Sequence, residues 1–65
     1  MYLIINKTTR ETSSVTGNWP SGILCDLLNS GHQIIVISTY SNTIKVPSKD
    51  HNDEWKWDEY NIPTY

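Results

Sequence analysis

Gln33-Ile34-Ile35-Val36-Ile37-Ser38-Thr39-Tyr40, answered after a short polar gap by Thr43-Ile44-Lys45-Val46-Pro47, decides the fold of this 65-residue chain. The first stretch holds four aliphatics in succession, Ile34 to Ile37. A strand sends alternate side chains to opposite faces, so an unbroken apolar run asks for cover on both. β-Branched residues dominate both stretches and favour strands. A hairpin through Ser41-Asn42 pairs Ile37 with Val46 and Thr39 with Ile44. Ile35, Ile37, Ile44 and Val46 then share one face, the expected seat of a helix, and a four-residue loop keeps that sharing. Ile34, Val36, Ser38 and Tyr40 fall on the other face, beside Thr43 and Lys45.

Size makes the second face a problem. A chain this short buries only about 60% of its unfolded surface. Its total stability is on the order of 3–10 kcal/mol. Two aliphatic side chains left in water forfeit about 3–6 kcal/mol. Small domains meet such a shortage with disulfides, metals or association. Cys25 is the only cysteine, so no internal disulfide can form. The expectation is therefore that Ile34 and Val36 are covered by the C-terminal tail or by a second molecule.

One helix is expected. Pro20 suits a first turn, and Ile23, Leu24, Leu27 and Leu28 make a single apolar stripe, stopped by Asn29-Ser30-Gly31. Before it, Tyr2 to Asn6 and Thr12 to Thr16 read as a hairpin around Lys7-Thr8-Thr9-Arg10-Glu11. A three-residue loop there sets Lys7 opposite Glu11, Ile5 opposite Ser13 and Leu3 opposite Val15. The predicted fold is α+β: a ββαββ domain over residues 1–48, with a four-stranded, mostly antiparallel sheet and one helix on one face. Residues 49–65 form an acidic aromatic tail, adding an extra strand or a strap on the core or on a partner.

Charge separates these two parts. Residues 1–48 carry Lys7, Arg10 and Lys45 against Glu11 and Asp26, a net +1. Residues 49–65 carry Lys49 and Lys56 against Asp50, Asp53, Glu54, Asp58 and Glu59, a net −3, which completes the overall −2. An acidic tail repels a phosphate backbone, and the scattered basic residues form no stripe that would track one. The apolar run Tyr2–Ile5 is too brief for a signal-peptide core, and no stretch approaches the ~20 apolar residues of a membrane span. A cytoplasmic protein without membrane contact is expected.

Catalytic chemistry finds little support. Cys25 has His32 and His51 as possible bases, but nothing in the spacing fixes an imidazole beside the thiol. It reads as a small apolar filler on the flank of the helix stripe. Lys49-Asp50-His51-Asn52-Asp53-Glu54 holds metal-compatible atoms without a calcium-loop or zinc spacing. No enzyme activity, cofactor or metal is expected.

The tail carries the interaction chemistry. Glu54-Trp55-Lys56-Trp57-Asp58 alternates strictly, with both tryptophans on one side, and Tyr60 and Tyr65 follow. The tryptophans either cover Ile34 and Val36 or engage another protein. The function expected is a non-catalytic protein-binding module, self-associating as a homodimer or joined to a host protein. Its contact is Ile34, Val36, Tyr40, Trp55 and Trp57, rimmed by Asp53, Glu54 and Asp58. The alternative is a small nucleic-acid-associated protein that stacks bases on exposed aromatics.

Three phrases carry a resemblance: Asn6-Lys7-Thr8-Thr9-Arg10-Glu11, Tyr40-Ser41-Asn42-Thr43-Ile44-Lys45-Val46-Pro47 and Trp55-Lys56-Trp57-Asp58-Glu59-Tyr60. With the Asn, Ser, Thr and Ile richness, they resemble small accessory proteins of AT-rich tailed bacteriophages. That resemblance implies a host-interaction role in a host cytoplasm. It assigns no residue a function.

Overall fold

A computed structural model describes residues 1–63. Its elements are β1 (Tyr2–Asn6), β2 (Glu11–Val15), α1 (Ser21–Asn29), β3 (Ile34–Ser38), β4 (Thr43–Lys49) and β5 (Trp55–Asn61). The class is α+β as expected, but the sheet has five strands rather than four, in the order β2-β1-β3-β4-β5 with every neighbouring pair antiparallel. The added strand is β5, which the tail contributes. It pairs along the whole of β4, from Thr43↔Asn61 to Lys49↔Trp55. Tyr65 lies outside the described residues. Among the described residues, no helix is long and apolar enough to cross a membrane.

The first hairpin corrects the expected register. Its loop is four residues, Lys7 to Arg10, so Asn6 meets Glu11, Leu3 meets Ser14 and Tyr2 meets Val15. Arg10 takes the left-handed conformation at φ 63°. Asn6 is what holds the longer loop. Its Oδ1 accepts the backbone N–H groups of Thr8 and Thr9 at 3.0 and 3.1 Å, an Asx turn that competes with ladder pairing. The one-residue slip moves Val15 to the face of Tyr2 and Ile4, away from Leu3.

The helix is only nine residues and needs tertiary support. Its end is closed by the backbone. Gly31, at φ 83°, donates its N–H to the Leu28 carbonyl, and His32 donates to Leu27, a Schellman pair that a left-handed glycine makes possible.

The helix lies on the opposite face from the one expected. Leu24 and Leu28 pack on Ile4, Ile34 and Val36, all buried, and Val36 has no exposed surface at all. The β3–β4 loop takes four residues, Thr39 to Asn42, so Ile37 meets Ile44 rather than Val46. Ile35, Ile37, Ile44 and Val46 still share a face, as the alternation requires, but it is the outer one. Within the second hairpin alone, that face is the richer one in aliphatics. The helix side, however, also receives Ile4 and Tyr2 from β1, Val15 from β2, and Trp55 and Trp57 from β5. The β2-α1-β3 connection joins two parallel strands across β1, and the right-handed rule for such crossovers leaves the helix one face to choose.

Replacing Leu24 by Ala is expected to lower stability by about 2–5 kcal/mol in urea denaturation, the cost of a core truncation. Ile23→Ala, on a side chain 53% exposed, is expected to change it by less than about 0.5 kcal/mol. Equal losses would mean that the helix sits in another rotation on the sheet.

Candidate interaction surface

The outer face of the sheet is read directly from the register. Residues paired across antiparallel strands share a face. Leu3 and Ile5 on β1, Ile35 and Ile37 on β3, and Ile44 and Val46 on β4 therefore form one continuous aliphatic stripe. All six are half-buried, shielded by neighbours within the sheet and by no helix. Thr12 and Ser14 of β2 border the stripe on one side. On the other border, β5 supplies Lys56, Asp58 and Tyr60. Asp58 accepts the Ser48 hydroxyl at 3.0 Å and has the Lys56 ammonium at 3.8 Å, so this border is close to neutral. Tyr60 stands 58% exposed.

The expected contact residues are dispersed by this arrangement. Ile34 and Val36 are core residues beneath α1, so no partner can reach them in the folded chain. Their cover is the one the alternating tail allows: Trp55 and Trp57 pack against the same cluster from β5. Lys49 sits over the Trp55 ring at 4.8 Å. Trp57 meets Trp19 edge-on at 5.2 Å, Trp19 meets Tyr2 at 5.2 Å, and Tyr2 meets Tyr40 at 5.3 Å. These four rings run from β5 past the helix start to the β3–β4 turn, each in the edge-to-face geometry that aromatic quadrupoles favour. Tyr40, 60% exposed, accepts the Gly17 N–H on its hydroxyl at 3.1 Å. Asp53 turns the β4–β5 loop at φ 62° and pairs with Lys49 at 3.3 Å, and Glu54 beside it is exposed. Of the eight residues expected at the contact, Asp58 alone points out from a strand on the outer face.

A second feature lies at one end of the stripe. The β3–β4 ladder ends at Val36↔Lys45. Lys7 donates to the Gln33 carbonyl and Thr39 donates to that of Met1, so odd residues of β3 face β1 and even ones face β4. The next rung would set Ile34 against Pro47, which has no N–H to give. A cleft of about 250 Å³ opens there, walled by Leu28, Ile34, Ile35, Val46 and Trp55. Its mouth is stitched together. Gln33 donates to Thr8 Oγ1 at 2.9 Å, and the Asn6 amide lies 2.9 Å from His32 Nδ1. Because Asn6 Oδ1 is taken by Thr8 and Thr9, its NH₂ faces the imidazole at Nδ1.

Among the described residues, no group of three or more His, Cys, Asp or Glu side chains could hold a metal ion. Cys25 is exposed on α1 rather than half-buried as its place in the stripe suggests. No protein-family model matches the chain, and no curated protein or solved structure is significantly similar to it.

Alternation within the second hairpin alone places four of the six outer aliphatics under the helix, which hides the stripe as a surface. The signal that bears on this lies in the tail. Two tryptophans on one side of an edge strand need depth to be buried, and only the helix face supplies it. Val36→Thr is expected to cost about 1–3 kcal/mol by placing a hydroxyl in the dry core, whereas Ile37→Thr should cost less than about 1.5 kcal/mol. Paired denaturation curves check this, and a larger loss at Ile37 would reverse the assignment of inner and outer faces.

Proposed function

We propose that this chain is a non-catalytic protein-binding module acting through the outer face of its sheet. The observation that carries the reading is the stripe of six aliphatics on a face that, among the described residues, no other element covers. Contiguous apolar surface bordered by polar groups is the usual anatomy of a protein contact. The border groups, Asp58, Lys56 and Tyr60, then select among partners, since complementary polar contacts discriminate more than they bind. The resemblance to phage accessory proteins supports a host protein, met in the host cytoplasm, as one class of partner. The tryptophans are held against the core, which argues against a base-stacking role for them.

Affinity capture with the full chain and with Ile37→Lys tests this reading. Proteins retained by the full chain, further copies of itself included, should be lost from Ile37→Lys and kept by Ser30→Lys, a substitution at the end of the helix. Retention that ignores Ile37→Lys, or no retained protein of any kind, would overturn it.

A further inference from the structure

We infer that the outer face pairs with a second copy of this chain about a two-fold axis that crosses the strands at the rung Ser13–Ile4–Val36–Lys45–Glu59. The inference rests on the reading of the outer face as a binding surface and names its occupant. The stripe is symmetric about that rung. On β1, Leu3 and Ile5 lie one residue to either side of Ile4. On β3, Ile35 and Ile37 flank Val36, and on β4, Ile44 and Val46 flank Lys45. A two-fold through the rung therefore places Leu3 over Ile5, Ile35 over Ile37 and Ile44 over Val46 of the second copy. Every aliphatic meets an aliphatic, the self-complementarity that an isologous contact demands.

The borders obey the same symmetry. Asp58 and Tyr60 flank Glu59 on β5, so the carboxylate of one copy falls opposite the phenol of the other. A phenolic O–H donates to a carboxylate, and the exposed Tyr60 has its hydroxyl available for that bond. Thr12 and Ser14 flank Ser13 on β2 and meet as two hydroxyls. No like charges face each other, because the outward residues of β1, β2, β3 and β4 are all uncharged. Aligned sheets cross at roughly 30°, which leaves the pairs near β3 almost unchanged. The displacement grows toward β5, where the length of the tyrosine side chain spans it.

The area matches a modest association. Strands about 4.8 Å apart and about five residues long, at ~3.3 Å per residue, give a five-stranded face of roughly 400 Å². Two such faces remove on the order of 800–1,000 Å², the low end for a specific contact. The dimer is therefore expected to dissociate on dilution.

Sedimentation of the full chain across protein concentrations from about 1 to 300 μM decides the matter. A reversible monomer–dimer equilibrium is expected. Ile37→Lys should remain monomeric throughout with unchanged far-ultraviolet circular dichroism, and the milder Ile37→Thr should weaken association about tenfold if the lysine variant does not fold. Asp58→Asn and Tyr60→Phe should each weaken it a few-fold, and the double variant should be no weaker than the worse single one, because the two groups bond to each other. A monomer at every concentration would overturn the inference, as would a dimer indifferent to Ile37→Lys and Ile37→Thr, or strictly additive losses at Asp58 and Tyr60. If the chain is monomeric but affinity capture still depends on Ile37, the binding face stands and only its self-pairing fails.

Discussion

Burial of Ile34 and Val36 between α1 and the tryptophans of β5 is the contact on which the rest of the structure depends. The helix is too short to persist alone, and β5 lies at the sheet edge with pairing on one side only. Each packs into the same buried cluster, which includes these two side chains of the central strand. Remove either cover and the other loses part of its own support, so helix and tail behave as one cooperative unit. The edge-to-face series Trp57–Trp19–Tyr2–Tyr40 extends that coupling across the sheet. It joins β5 to β1 although the two strands never pair.

Much of this was legible from the residues. The four consecutive aliphatics of β3 announce a central strand that is apolar on both faces, and α1 shows its apolar stripe and its glycine stop. The alternating tail offers a strand or a strap, on the core or on a partner, and it forms the strand, with Trp55 and Trp57 packed against the buried cluster. Three things were not legible: the second hairpin's loop is two residues longer than the shortest turn, which pairs Ile37 with Ile44 rather than Val46, and the other two are matters of parity. Asn6 captures two backbone N–H groups and lengthens the first loop by one residue, which sends Val15 to the other side. Local propensity does not report that choice. The face taken by α1 depends on strand order, since the crossover from β2 to β3 must pass over β1. Alternation within one hairpin divides residues into two sets correctly and still leaves open which set lies inside.

That reversal moves the candidate site. With Ile34 and Val36 inside, the residues expected at a contact become the core, and the residues expected in the core become the surface. The sequence argument for a shortage of cover survives the exchange. One helix and one tryptophan pair cover one face, and among the described residues Leu3, Ile5, Ile35, Ile37, Ile44 and Val46 are left with only their neighbours in the sheet. The acidic residues Asp53 and Glu54 are drawn into the β4–β5 turn and its local pairing with Lys49 and Asp50, which removes them from the border of the stripe.

The sheet edges determine what kind of association such a face permits. An apolar sheet with sticky edges would add strand to strand without limit. Here β2 exposes Glu11, Thr12, Ser13 and Ser14, and β5 exposes Lys56, Glu59, Tyr60 and Asn61. Charged and hydroxyl-bearing side chains along both edges disfavour edge-to-edge growth, and Pro47 has no N–H to offer a ladder near the cleft. That leaves the broad outer face, where the proposed two-fold pairing would consume the apolar surface of both copies and close. Polar edges with an apolar face favour a finite pair over a fibre, and the placement of charge along β2 and β5 makes that preference physical.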